Sequence, residues 1–182
     1  MGKLRELHGL QEEIESCSVC KNAGTGKQVF GEGNPDAQIM FVGEAPGKKE
    51  AESGKPFIGR SGQLLHATIR SIGLNESDVY ITSPVKFLPK RGTPTKKETD
   101  HSNIHFQKQV EIIKPKIMVL LGKTAIHAIL EKNILILKEH GKHIRKDGRS
   151  IFITLHPAAV LRFSKYKKIF EEDFMKIKKL MG

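Results

Sequence analysis

The sequence contains no tryptophan, only two tyrosines and only two cysteines among its 182 residues. This scarcity of large aromatic side chains argues against a surface that stacks successive unpaired bases, and two cysteines are too few for a disulfide-stapled scaffold. No apolar run approaches the ~20 residues that a membrane-spanning helix needs. The charged N-terminal segment also lacks the apolar core of a signal peptide. These absences predict one intracellular domain, residues 1–182, that contacts no membrane.

Positive charge is in excess along the chain. The 31 lysines and arginines outnumber the 20 acidic residues and give a formal net charge of +11. Such a balance favours a polyanionic partner, of which nucleic acid is the first candidate. The alternative is a lysine-rich solvated surface that serves no such partner.

Four short, almost wholly apolar segments are typical of buried parallel strands. They cover residues 38–43, 79–82, 117–121 and 151–155. Helical patterns separate these segments, and residues 134–147 between the last two are irregular and basic, with a small hairpin or extension expected. The alternation predicts right-handed crossovers. We therefore expect an α/β fold, a three-layer αβα domain with a central four-stranded parallel sheet.

A loop rich in glycine and proline follows the first predicted strand. It begins with Gly43-Glu44-Ala45-Pro46-Gly47 and continues to Gly62. Its glycines let backbone N–H groups approach a ligand closely, and its prolines stiffen the loop. Because the carboxyl ends of parallel strands share one edge of the sheet, residues that follow several strands should meet there. The residues expected to converge are Glu44, Phe57, Ser83 and His156.

Three motifs at these strand ends resemble the signature set of family-4 uracil-DNA glycosylases. They are Gly43-Glu-Ala-Pro-Gly47, Gly54-Lys-Pro-Phe-Ile-Gly59 and His156-Pro-Ala-Ala-Val-Leu-Arg162. The resemblance covers almost the whole chain and implies a repair enzyme that flips a nucleotide out of DNA and hydrolyses the N-glycosidic bond of uracil. We expect a monomer that acts on DNA containing uracil or another deaminated base, in the cytoplasm of a prokaryote and associated with its nucleoid.

The resemblance implies how the flipped base would be bound. Phe57 would stack on the base, and His156 would donate a hydrogen bond to the departing base as negative charge develops on it. Backbone N–H groups of Gly43, Ala45 and Gly47 would bind the carbonyl edge. The alternatives are that Phe57 is an ordinary core ring and that His156 lies at a structural strand end.

The resemblance also provides a catalytic carboxylate and a DNA interface. Glu44 or Glu50 would position the attacking water or stabilise the cationic sugar, as carboxylates do in glycoside hydrolysis. Glu44 is the first choice, although it could instead brace its own loop. A basic loop after the second strand would contact phosphates, and the segment after His156 would enter the duplex unless it is only a solvated helix turn. The residues assigned to DNA contact are Lys86, Arg91, Leu161 and Arg162.

The chain departs from the family at its metal centre. The family carries four cysteines that hold a [4Fe–4S] cluster, whereas here Phe87 and Ser102 stand at the third and fourth positions. Since clusters are held by cysteine thiolates, we expect no iron–sulfur cluster, no other cofactor, and a core-filling role for Phe87. An alternative is a Cys2His2 zinc site; the remaining possibility is two buried thiols beside surface histidines. The candidate zinc ligands are Cys17, Cys20, His101 and His105.

A second departure concerns the base that the pocket would read. Ser83 stands where relatives usually carry an asparagine that reads the uracil edge. An amide offers a donor and an acceptor in one fixed plane, whereas a hydroxyl is shorter and rotates. Two alternative functions therefore stay open: a glycosylase for another deaminated base such as hypoxanthine or xanthine, and a relative that binds DNA or a lesion without cutting it.

Overall fold

The structure is a computed structural model and describes residues 2–181. The helices of these residues are α1 (Lys3–Ser16), α2 (Ser18–Ala23), α3 (Lys48–Ser53), α4 (Arg60–Ser71), α5 (Lys96–Ile113), α6 (Lys123–Leu130), α7 (Ile136–Glu139), α8 (Pro157–Arg162) and α9 (Lys167–Met181). The strands are β1 (Gly24–Thr25), β2 (Glu32–Gly33), β3 (Ile39–Val42), β4 (Val79–Thr82), β5 (Leu88–Pro89), β6 (Ile117–Leu121), β7 (His143–Lys146) and β8 (Arg149–Thr154). Within this part of the chain, no helix is long and apolar enough to cross a membrane.

The central sheet has the strand order β2-β4-β3-β6-β8-β7. Its four middle strands run parallel, as the sequence predicts, while β2 and β7 pair antiparallel with the strands beside them. Of the hairpin or extension expected within residues 134–147, the structure has the strand β7, which forms a hairpin with β8 just beyond that segment. The sequence gives no signal for β2, because a two-residue strand is too short to show an alternating pattern. A separate pair, β1 with β5, lies outside the central sheet.

Apolar side chains on both faces of the sheet hold the three layers together. One face packs against α1, α5 and α6 through a cluster that includes Leu7, Phe106 and Ile126. The other face packs against α4 and α9 through a cluster that includes Ile69 and Phe174. Full burial of one such side chain contributes ~1.5–3 kcal/mol. The predicted three-layer αβα architecture is confirmed.

The carboxyl ends of the four parallel strands lie at one edge of the sheet. The loop after β6 and the loop after β8 approach each other closely there, and Gly122 makes that approach possible. It has a φ of 87°, and a Cβ built on it would lie 3.0 Å from the Cβ of His156. Both the left-handed conformation and the small separation favour glycine. This contact helps to fix the position of His156.

Candidate active site

A cavity of about 240 Å³ lies at this edge of the sheet and is referred to below as the base pocket. Its walls come from the loops after β3, β4 and β8, so the convergence expected from the topology is present. The predicted site residues that line it are Glu44, Ala45, Gly47, Glu50, Phe57, Ser83 and His156. Gly43 lies directly beneath the ring of Phe57.

Two glycines position Phe57. Its backbone has a φ of 51°, which is uncommon for a residue with a bulky side chain. A Cβ on Gly62 would overlap the backbone carbonyl of Phe57, and a Cβ on Gly43 would overlap its ring. The ring lies against the pocket with its centroid 6.0 Å from that of His156, at an interplanar angle of 33°. The glycines of the motif thus hold an aromatic face at the pocket wall.

His156 has a defined tautomer in this arrangement. It lies at the N-terminus of α8, where the backbone N–H of Ala158 donates to its Nδ1 at 3.2 Å. Because Nδ1 accepts, the ring proton of the neutral imidazole is on Nε2. Burial lowers the pKa of His156 below its ordinary value, against a smaller opposing effect of the Glu44 charge. The residue is therefore a neutral Nε2–H donor at the pocket.

Glu44 is held by a residue that the sequence did not indicate. The hydroxyl of Thr124 donates to Oε2 of Glu44 at 2.7 Å. Thr124 lies in the first turn of α6, which begins at the carboxyl end of β6. Since this strand end belongs to the same edge of the sheet, topology could have pointed to the residue. The bond fixes one carboxylate oxygen and leaves the other for a second partner.

Glu50, the other candidate carboxylate, is bonded to its own loop. The backbone N–H of Gly59 donates to Oε1 of Glu50 at 2.7 Å, at the start of α4. Its Oε2 lies so close to Gly47 that a Cβ there would be 2.7 Å away. Glu50 is also buried. These contacts tie α3 to the start of α4, so Glu50 braces its own loop.

Ser83 lies in the pocket wall with its hydroxyl proton already engaged. Its Oγ donates to the backbone carbonyl of Val85 at 2.8 Å, and the residue is buried. A hydroxyl whose proton points into the protein offers a ligand only its lone pairs. In this conformation Ser83 is therefore an acceptor.

Lys86 is not a DNA contact, and its assignment to phosphate binding is wrong. The residue is 0% exposed. Its Nζ donates to the carbonyl of Phe30 at 2.9 Å and to Thr82 Oγ1 and Gln109 Oε1, each at 2.6 Å. Burial lowers its pKa well below the ordinary value. A lysine in a basic stretch of sequence is usually interpreted as a surface cation. In this fold the Lys86 side chain is buried and faces Phe30 and Gln109.

The other predicted DNA contacts are exposed around the pocket. Arg91 lies between Leu88 and Gly92, which both line the pocket. At the end of α8, Leu161 is 44% exposed, and Arg162 follows it with its guanidinium over the ring of the next residue. That next residue, Phe163, is 46% exposed and was missed by the sequence analysis. The available signal in the sequence was a phenylalanine directly after the histidine motif.

Four potential metal ligands come together away from the base pocket, and the prediction that the chain holds no cofactor is wrong. The ligand atoms of this set all lie within 4.8 Å of one another, so the set could bind a metal ion. The members, called the Cys/His group below, are Cys17, Cys20, His101 and His105. They are two thiols and two imidazoles, whereas the family resemblance implies four thiolates. As expected, Phe87 is buried beside Cys20 as part of a small apolar cluster.

Comparison with known proteins agrees with the resemblance in the sequence motifs. The model of the uracil DNA glycosylase superfamily matches residues 30–178. A type-4 uracil-DNA glycosylase of Sulfurisphaera tokodaii is 40% identical over 96% of this chain and 84% of its own length. Those of Thermotoga maritima and Archaeoglobus fulgidus are 37% and 36% identical, over 93% and 98% of this chain and 91% and 95% of their own lengths. The chain belongs to the uracil DNA glycosylase superfamily.

Proposed function

We propose that the protein is a monofunctional uracil-DNA glycosylase of base excision repair. The superfamily match and the type-4 relatives support this activity. The observation that carries it is the base pocket, where an aromatic face and a carboxylate from the segment after β3 and a neutral imidazole donor from the segment after β8 surround one cavity.

The pocket has the donors and acceptors that a flipped uracil requires. The ring of Phe57 offers a stacking surface, as in other enzymes that extrude a base from the duplex. Ser83, as an acceptor, can receive the N3–H of uracil. Cytosine has an unprotonated N3, which would face the lone pairs of Ser83. Reading uracil in this way replaces the two-point contact of an amide with a single hydrogen bond.

The reaction breaks the bond between C1′ of the sugar and N1 of uracil. The bonding electrons leave with the base, so negative charge develops on the uracil carbonyl oxygen, and Nε2–H of His156 donates to that oxygen. A fixed donor of this kind contributes ~2.7–4 kcal/mol to transition-state stabilisation. Glu44, held by Thr124, positions the water whose oxygen bonds to C1′; the proton that this water loses balances the charge of the departing uracil anion, which leaves as neutral uracil. The products are free uracil and an abasic site in an unbroken strand.

The surface next to the pocket fits a DNA duplex. Leu161 and Phe163 present apolar side chains beside the histidine motif, and apolar wedges between base steps are a recurring way to unstack DNA. Arg91 and Arg162 add positive charge for the phosphates. Insertion of the apolar residues would occupy the space that the flipped nucleotide leaves.

A panel of lesion-bearing oligonucleotides tests the proposed function. Duplexes with uracil, hypoxanthine or xanthine would be incubated with the wild-type protein and the Ser83→Asn variant, and released base measured. We expect uracil to be released and strand breaks to appear only after alkali. Since one neutral hydrogen bond contributes ~0.5–1.5 kcal/mol, Ser83→Asn should raise the rate for uracil by a few-fold to about tenfold.

Several results would contradict the proposal. Wild-type protein that releases only hypoxanthine or xanthine would assign the pocket to another deaminated base. Salt-dependent DNA binding without release of any base, at high protein excess, would indicate a non-catalytic relative. A Ser83→Asn variant with unchanged uracil release would exclude Ser83 as the residue that reads the base.

A further inference from the structure

We propose that the Cys/His group binds one Zn²⁺ ion in a closed tetrahedral site, separate from the base pocket. Its spacing is Cys-x2-Cys followed by His-x3-His, within the range of known Cys2His2 sites. With Zn–S near 2.3 Å and Zn–N near 2.0–2.1 Å, the ligand atoms of a tetrahedral ion lie ~3.3–3.8 Å apart. The four ligand atoms here all lie within 4.8 Å of one another. A single ion therefore fits once the side chains draw these atoms together by ~1–1.5 Å.

The environment of His105 provides an independent observation. Its side chain is 8% exposed, and its Nε2 is buried without a hydrogen-bond partner among residues 2–181. Its Nδ1 lies 3.1 Å from Oε1 of Glu13, a carboxylate that Lys108 holds at 2.7 Å. A carboxylate that accepts from Nδ1 leaves a lone pair on Nε2, the arrangement typical of metal-bound histidines. A metal ion supplies the partner that Nε2 lacks.

The remaining ligands converge on the same place. Sγ of Cys17 lies 3.2 Å from Nε2 of His101, and the rings of His101 and His105 meet at 79° with centroids 5.7 Å apart. Cys20 is fully buried beneath them. Tetrahedral sets of two sulfurs and two nitrogens select zinc or iron, and the tight spacing favours one ion over a multi-iron cluster, which would separate its ligands further.

Four protein ligands leave no open position, so the ion would be structural and would not activate water. Cys17 lies at the junction of α1 and α2, and Cys20 lies in α2. Both histidines belong to α5. The ion would thus join the N-terminal helices to a helix about 80 residues later in the chain.

Metal analysis of the purified full-length protein tests this proposal. Inductively coupled plasma mass spectrometry should find about one zinc ion per chain, and an assay for acid-labile sulfide should detect no sulfide. Substitution with Co²⁺ should give the visible d–d absorption of a tetrahedral sulfur and nitrogen site. Iron with acid-labile sulfide would overturn the proposal, as would a protein that retains no metal after dialysis against micromolar zinc.

Variants distinguish a specific zinc site from adventitious zinc binding. His101→Asn should abolish stoichiometric zinc. Glu13→Gln, which leaves all four ligands in place, should weaken zinc affinity by about 10–100-fold, the usual effect of losing such a carboxylate. The matched control is Glu12→Gln on the same helix, whose carboxylate pairs with His8, and which should bind zinc like the wild type. Equal zinc affinity in Glu13→Gln and wild type would overturn the assigned geometry.

Discussion

The base pocket and the Cys/His group are built in different ways from neighbouring parts of the chain. The pocket is assembled by loops at one edge of a parallel sheet, so backbone topology places its residues. The Cys/His group is assembled by side chains of packed helices away from that edge. One short segment reaches both, because Ser83 lines the pocket and Phe87 packs against Cys20.

This difference predicts how substitutions act at the two sites. Each pocket residue must meet a base or a sugar, so a change there alters the substrate or the reaction. The donors of the Cys/His group need only hold helices together, a task that different ligand sets perform equally well. We therefore expect pocket variants to change catalysis without loss of stability, and variants of the Cys/His group to change stability without loss of chemistry.

The largest effect should come from the two reacting groups of the pocket. His156→Ala removes the donor to the leaving uracil and Glu44→Gln removes the charge that positions water. Each should lower single-turnover uracil release by about 10²–10³-fold, in line with ~2.7–4 kcal/mol for a fixed donor and with the usual contribution of a catalytic base. The measurement is a single-turnover time course in which samples are quenched at intervals and released uracil is measured, with enzyme in excess over a uracil-containing oligonucleotide.

The control for this prediction is stability. Glu44→Gln should unfold in urea within ~0.5 kcal/mol of the wild type. His156→Ala should lose no more than the ~0.5–2 kcal/mol of the helix-cap hydrogen bond that His156 accepts from Ala158. A larger loss of stability in either variant would show that the pocket also holds the fold, which would remove the contrast between the two sites. Full activity of Glu44→Gln would transfer the water-positioning role to Glu50.

The sequence predicted the pocket better than its surroundings, for a physical reason. Buried parallel strands can be predicted from their apolar runs, and the residues that follow such strands share one edge of the sheet. Strand topology therefore predicted that Glu44 and His156 lie close together. Lys86 could not be placed, because nothing local distinguishes a lysine that faces solvent from one that faces Gln109. The Cys/His group was seen only as a possibility, since its assembly depends on how α1, α2 and α5 pack.

A smaller effect is expected from Thr124, which acts through Glu44 as a positioning residue. Thr124→Val keeps the shape of the side chain but removes the hydroxyl that donates to Oε2 of Glu44. Hydrogen bonds to charged groups contribute ~1.5–3 kcal/mol, so kcat should fall by about 10–100-fold with little change in KM. Steady-state kinetics of uracil release give both constants.

A double variant separates positioning from packing. If Thr124 acts only through Glu44, then Thr124→Val should have almost no further effect in a Glu44→Gln background, because the two changes disrupt one interaction. Additive losses in the double variant, or a rise in KM with unchanged kcat, would show that Thr124 contacts the substrate or shapes the cavity directly.

The smallest effects should distinguish Arg91, which is exposed, from Lys86, which is buried. Arg91→Ala, at the exposed rim, should weaken DNA binding and reduce the slope of log K against log salt by about 1. Lys86→Met should leave that slope unchanged and lower the free energy of unfolding by ~1 kcal/mol, the usual contribution of a hydrogen bond. DNA titrations at several salt concentrations and urea unfolding check both variants.

The pH dependence of Lys86→Met gives a sharper form of the same test. The folded wild type holds the pKa of Lys86 well below its ordinary value of 10.5. Between the folded and the ordinary pKa the unfolded chain binds more protons, so the contribution of this ionisation to stability rises with pH up to about 10.5. The stability advantage of wild type over Lys86→Met should therefore grow from pH 7 to pH 10. A constant or shrinking difference, or a reduced salt slope in Lys86→Met, would place this ammonium group at the surface with Arg91.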